Sequence, residues 1–107
     1  MSRRTWLVEC YGPAIGEASV ADASGRARAA VEVERAGGSP IEYLGALHLP
    51  EDEAVFHAFA SPDVASVAVV STRAGLRYER IVESVAVRAP TLTDAIARLL
   101  EVPPTGA

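Results

Sequence analysis

Residues 43–59, YLGALHLPEDEAVFHAF, place two apolar runs on either side of an acidic segment that opens with proline. A stretch of this kind folds back on itself. Residues 41–49 are expected to form one strand, Pro50, Glu51, Asp52 and Glu53 the turn, and residues 54–60 the returning strand of an antiparallel hairpin. Pairing across that turn sets Leu49 opposite Ala54, which brings His48 near Val55 and diagonal to His57 on the same face. A one-residue bulge between them would separate the two imidazoles.

The segments flanking the hairpin alternate between the two periodicities. Residues 5–11, TWLVECY, are rich in β-formers and stop at Gly12-Pro13, so they read as a first strand. In SVADASGRARAAVEVERAGG, Val20, Ala23, Ala27, Ala30 and Val31 recur at helical spacing, while Arg26, Arg28, Glu32 and Arg35 mostly face away. Gly37-Gly38 ends this helix and Pro40 prevents its return. After the hairpin, Ser61 is expected as the N-cap of a second helix, with Pro62 at its first position, Asp63 in its first turn and Gly75 at its close. Residues 78–87, YERIVESVAV, read as a fourth strand. Beyond Pro90, TLTDAIARLLE carries Leu92, Ile96, Leu99 and Leu100 at helical spacing, and VPPTGA is a loose tail.

Strand, helix, hairpin, helix, strand is the βαββαβ order of a ferredoxin-like α+β fold, a four-stranded antiparallel sheet with both helices on one face. Residues 1–88 are expected to form this domain, and 89–107 a C-terminal helix and tail. A chain of 107 residues suits one such unit. The second sheet face carries too many large apolar groups to sit in water, which predicts a homodimer that packs these faces together as a dimeric α/β barrel.

Composition removes several function classes. With half its residues apolar and a net charge of -4, the chain has neither the composition of a disordered segment nor that of a polyanion binder, and a nucleic-acid role is not expected. The opening MSRRTWLVECYGP has an apolar run too short and too polar for a signal peptide or a membrane span. Cys10 is the sole cysteine, so no disulfide or thiolate cluster forms within one chain, and a reducing cytoplasm is the natural setting.

Polar residues interrupting apolar strands are the candidates for chemistry. Leu7, Glu9 and Tyr11 share one face of the first strand, and Trp6, Val8 and Cys10 the other. In the fourth strand Glu83 stands among Ile81, Val85 and Val87. If Glu9 and Glu83 face one cavity, they could bind a metal or share a proton; otherwise each sits at a wet rim or pairs with an arginine such as Arg80. Imidazoles with carboxylates suit nickel, zinc or copper, so His48 and His57 are candidate ligands, although two histidines on a hairpin match no strong signature. A hydrogen-bonded, semi-buried ring is the competing reading for His57, and simple solvation for His48. Cys10 reads as an inert core residue, and Trp6, Tyr11 and Tyr43 as candidate pocket walls.

The opening WLVECY, the hairpin with its acidic turn and VFHAF, the SP helix start and RAGLRYERIVESVAV together resemble a family of small bacterial domains of unknown function. Its named member is a nickel-binding protein of actinobacteria. The likeness runs over about residues 5–87. It implies a ferredoxin-like fold, a homodimer and nickel held between or beside the subunits. Glu9 matches the family's glutamate after the first apolar strand, and Arg80, Ile81 and Glu83 match its RI-x-E strand. Gly45 stands where the family often has a histidine, and His57 where it has a cysteine.

These observations predict a cytoplasmic, homodimeric binding module that holds nickel or another transition metal through Glu9, His57 and Glu83, with His48 as auxiliary ligand. The alternative is a cofactor-free, monooxygenase-like enzyme of the dimeric α/β-barrel type acting on an aromatic or polyketide-like small molecule, with Glu9 or His57 as general base. A third possibility is a purely structural module whose last helix docks on a partner.

Overall fold

The computed structural model describes residues 3–12 and 15–85. The predicted C-terminal helix and tail, and the end of the predicted fourth strand, lie outside the described residues. The elements run β1 (Arg4–Tyr11), α1 (Glu17–Ala36), β2 (Glu42–Leu49), a short 3-10 turn (Pro50–Asp52), β3 (Ala54–Ser61), α2 (Val64–Arg73) and β4 (Tyr78–Ser84). All strand pairs are antiparallel and the sheet order is β2-β3-β1-β4, the ferredoxin-like arrangement that the element order predicts.

Local chemistry accounts for the boundaries. Pro50 opens the 3-10 turn with its φ already set, and Glu53 closes it in the left-handed region at φ 50°, donating its N–H to the Pro50 carbonyl at 3.1 Å. The second helix starts two residues later than the sequence pattern suggests. Its N-cap is Asp63, whose carboxylate accepts from Ser66 N–H at 2.8 Å. Ser61 instead completes β3, fully buried, with its hydroxyl donating to the Asp63 carbonyl at 2.8 Å. Both helices end in a Schellman motif: Ser39 N–H reaches Glu34 O after α1, and Leu76 N–H reaches Ser71 O after α2. Gly38 at φ 105° and Gly75 at φ 71° supply the left-handed residue that each motif needs.

The hairpin pairs Leu49 with Ala54 and His48 with Val55, as expected. It does contain a bulge, but between Tyr43 and Gly45, on the far side of both histidines. Leu44 is pushed outward there, half exposed, and Gly45 takes φ 133°.

Both helices pack on one sheet face over a core that includes Val8, Ala27, Ile41, Phe59, Val67 and Val70. The opposite face displays Leu7, Leu47, Phe56, Ala58 and Val82, all partly exposed. Among the described residues no helix is long and apolar enough to cross a membrane.

Candidate functional site

Strand register decides which predicted site residues can meet. Residues directly paired across antiparallel strands point to the same face. His57 pairs with Val8, so its ring lies under the helices; Glu9 pairs with Phe56, so its carboxylate lies on the helix-free face. Glu83 pairs with Trp6 and therefore shares the helix side, where it is exposed and ion-paired with Arg4 at 3.7 Å. The expected convergence of Glu9 with Glu83 and His57 does not occur, because an odd residue offset along β1 and β3 turns the side chains to opposite faces. His48 shares the face of His57 and is partly buried, with Nε2 lacking a partner.

Glu9 is committed elsewhere. Its Oε1 accepts from Arg80 Nε at 2.9 Å and from the Tyr11 hydroxyl at 2.8 Å. The Arg80 hydrogen bond holds the Glu9 carboxyl below its usual range, against the opposing effect of burial. Among the described residues no group of three or more His, Cys, Asp or Glu side chains stands close enough to share one ion. The nickel set that the sequence suggests, Glu9, His57 and Glu83 with His48, is thus divided between two faces and does not fit a single ion within these residues.

What the fold assembles around His57 is a different arrangement. The ring is 1% exposed, and its Nδ1 lies 2.9 Å from the Tyr43 hydroxyl, which lies 2.9 Å from Ser24 Oγ on α1. Burial is the main cause that lowers the His57 pKa from 6.5 to about 4, with the nearby Arg26 charge second, so the ring is neutral at physiological pH. Tyr43 is buried on its Phe59 side, packs edge-on to that ring, and carries the Arg28 guanidinium 5.2 Å above its own. Desolvation raises its phenol pKa, which keeps it protonated.

His57 lines a half-open cleft of about 540 Å³, called the chamber below, between the sheet, the first turns of α1 and the α2–β4 connection. Its walls are mostly apolar, from Ile15, Val20, Ala23, Val55 and Leu76, with Cys10, Ser19, Tyr11, Arg26 and Arg77 at intervals. Burial raises the Cys10 thiol pKa, so it is an inert wall residue rather than a nucleophile. Of the three aromatic residues expected to form pocket walls, Tyr11 borders this pocket, but its ring packs edge-on to Phe56 and its hydroxyl bonds Glu9 on the helix-free face. Tyr43 lies behind His57 and lines a separate polar cleft with Arg3, Arg28 and Arg35, while Trp6 is core, its indole N–H donating to Ser61 O at 3.0 Å.

Ser24, Arg26 and Arg77 are absent from the sequence-based candidates. Two of them carry a signal: Ser24, Ala27 and Val31 fall at helical spacing, and Arg26 lies between Ala23 and Ala30, on the flank of the buried stripe. Arg77 follows Gly75 in a connection and carries no periodic signal. An apolar chamber with one neutral imidazole and two guanidiniums in its wall suits a small organic molecule better than a metal ion.

No family model matches the chain, and neither does any curated protein. Among solved structures it is similar to SCO4226 from Streptomyces coelicolor A3(2), at a TM-score of 0.64 and 18% identity, over 78% of this chain and 99% of that one. At that identity the likeness shows a shared fold, and the chain is a ferredoxin-like domain.

Proposed function

We propose that the protein is a small-molecule-binding module that works as a cytoplasmic homodimer, with its ligand in the cavity between α1 and the sheet. The observation that carries this reading is the half-open, mostly apolar cleft of about 540 Å³ with His57 in its wall. Its size and apolar walls match those of small-molecule sites in general. Dimerisation through the helix-free face would cover Leu7, Leu47, Phe56 and Val82, which otherwise leave a row of apolar side chains in contact with water.

The same chamber is compatible with monooxygenase-like chemistry, because a neutral imidazole in a cavity wall is the form a general base requires. A conjugate acid with a pKa of about 4 makes His57 a weak base at neutral pH, which favours binding over proton abstraction.

Thermal unfolding with a panel of fused-ring aromatics headed by 1-naphthoate and 1-naphthamide tests the reading. A ligand of the native state at 100 times its dissociation constant adds about 2.7 kcal/mol, several degrees for a domain of this size. Ala23→Phe, which fills the chamber, is expected to abolish the shift while the fold persists by circular dichroism. No shift with any compound, or a shift that survives Ala23→Phe, contradicts the reading.

A further inference from the structure

The residues lining the His57 chamber include two arginines, Arg26 and Arg77, and no aspartate or glutamate, in a chain whose net charge is -4. The local charge therefore opposes the average. Arg26 is partly engaged, its Nε donating to Ala74 O at 2.7 Å and its Nη1 paired with Asp22. Arg77 is exposed and has no ion-pair or hydrogen-bond partner among the described residues. Its charge is available to something in the chamber.

The Ser24–Tyr43–His57 chain sets what the imidazole can offer. A phenol is a strong donor to an imidazole nitrogen, and the Tyr43 hydroxyl lies within hydrogen-bond distance of both His57 Nδ1 and Ser24 Oγ. With Tyr43 O–H donating to Nδ1 and Ser24 O–H donating to the Tyr43 oxygen, each of the two contacts joins one donor to one acceptor. Nδ1 is then the acceptor, and the ring proton of neutral His57 resides on Nε2. Nε2 has no hydrogen-bond partner among the described residues.

We infer that the chamber selects an apolar organic acid, whose oxyanion accepts a hydrogen bond from His57 Nε2–H and faces the Arg77 guanidinium, with Tyr43 as the positioning residue that fixes the imidazole tautomer. The inference rests on the proposed small-molecule site and specifies its ligand class. An isosteric neutral amide can still accept through its single carbonyl oxygen, but it offers the guanidinium neither a charge nor a second acceptor oxygen. The aromatic or aliphatic body of the acid would lie against Val20, Ala23, Val55 and Leu76.

The test is calorimetric titration of the full chain with 1-naphthoate and with 1-naphthamide at neutral pH. A hydrogen bond to a charged group contributes roughly 1.5–3 kcal/mol, so the acid is expected to bind at least about tenfold tighter than the amide. Arg77→Ala, at an exposed position, should remove most of that preference without altering the fold. Tyr43→Phe should weaken naphthoate alone, and ¹⁵N spectra of His57 should show the Nε2–H form in the wild type and lose it in the variant. In Ser24→Ala, which removes only the donor to the Tyr43 oxygen, the Nε2–H form should persist, and its loss there would overturn the role given to Tyr43. Equal binding of acid and amide overturns the acid selectivity but leaves the small-molecule site standing, whereas binding of neither overturns both. An Nδ1–H form in the wild type overturns the role given to Tyr43.

Discussion

His57 is the residue at which burial and titration are most tightly joined. Its pKa is about 4 in the folded chain against 6.5 for an ordinary histidine. Between these values the unfolded chain binds a proton that the folded one does not, so stability rises with pH across that window and is lost as pH falls from 6.5 towards 4. At 1.36 kcal/mol per unit the loss reaches at most about 3 kcal/mol. Urea unfolding midpoints at about pH 7 and about pH 4.5 should therefore differ strongly in the wild type and much less in His57→Gln. An unchanged pH slope in His57→Gln would show that the ring is not buried as described. Glu9 acts in the same direction but lower: its carboxyl is held below 4.5 by Arg80, so its contribution is present above that value and is lost only as pH falls beneath it. The sequence allows both the semi-buried ring of His57 and the Glu9–Arg80 pair as readings. It cannot choose them, because the choice depends on which face of β1 meets the helices and on how β1 aligns with β3, both set by contacts far apart in the chain.

The elements themselves were largely legible, since they follow from local pattern and punctuation. Hairpin pairing, the glycine stops of both helices and the apolar stripe of α1 all follow from residue spacing. The departures come where two residues compete for one role. Ser61 and Asp63 can each cap a helix, and Asp63 prevails because Ser61 belongs to β3 through its pairing with Arg4. Asp63→Ala should therefore cost about 1 kcal/mol in chemical denaturation, the usual loss for a missing N-cap. The bulge in β2 had only Gly45 as its signal, and a glycine in a strand also has other causes. With Gly45 at φ 133° and open space around its Cα, Gly45→Ala is expected to destabilise by about 1–2 kcal/mol through backbone strain alone. No loss on denaturation would mean that the bulge relaxes into regular pairing.

At the scale of the whole molecule the sheet has two faces with different uses. The helix side holds the core and the His57 chamber; the open side holds Glu9, Arg80 and a partly exposed apolar surface. Alternation within each strand foretold that Glu9 and Tyr11 share a face away from Val8 and Cys10, and that much of the open face is apolar. Placing His57 opposite to Glu9 required the register between β1 and β3, which no local pattern encodes. If the open face is a dimer interface, Phe56→Glu buries a charge at its centre and should yield a monomer in multi-angle light scattering, with the far-ultraviolet spectrum unchanged. A wild type that is already monomeric at high micromolar concentration would remove the dimer from the account.

The central claim is that the ligand site lies on the helix side around His57. The most direct measurement is a ¹H–¹⁵N chemical-shift map of the chain titrated with 1-naphthoate. The account predicts saturable shifts clustered at Cys10, Val20, Ala23, Val55, His57 and Leu76, the residues that enclose the chamber. Shifts confined to Leu7, Leu47, Phe56 and Val82, or no saturable shifts, would place any ligand elsewhere and contradict it.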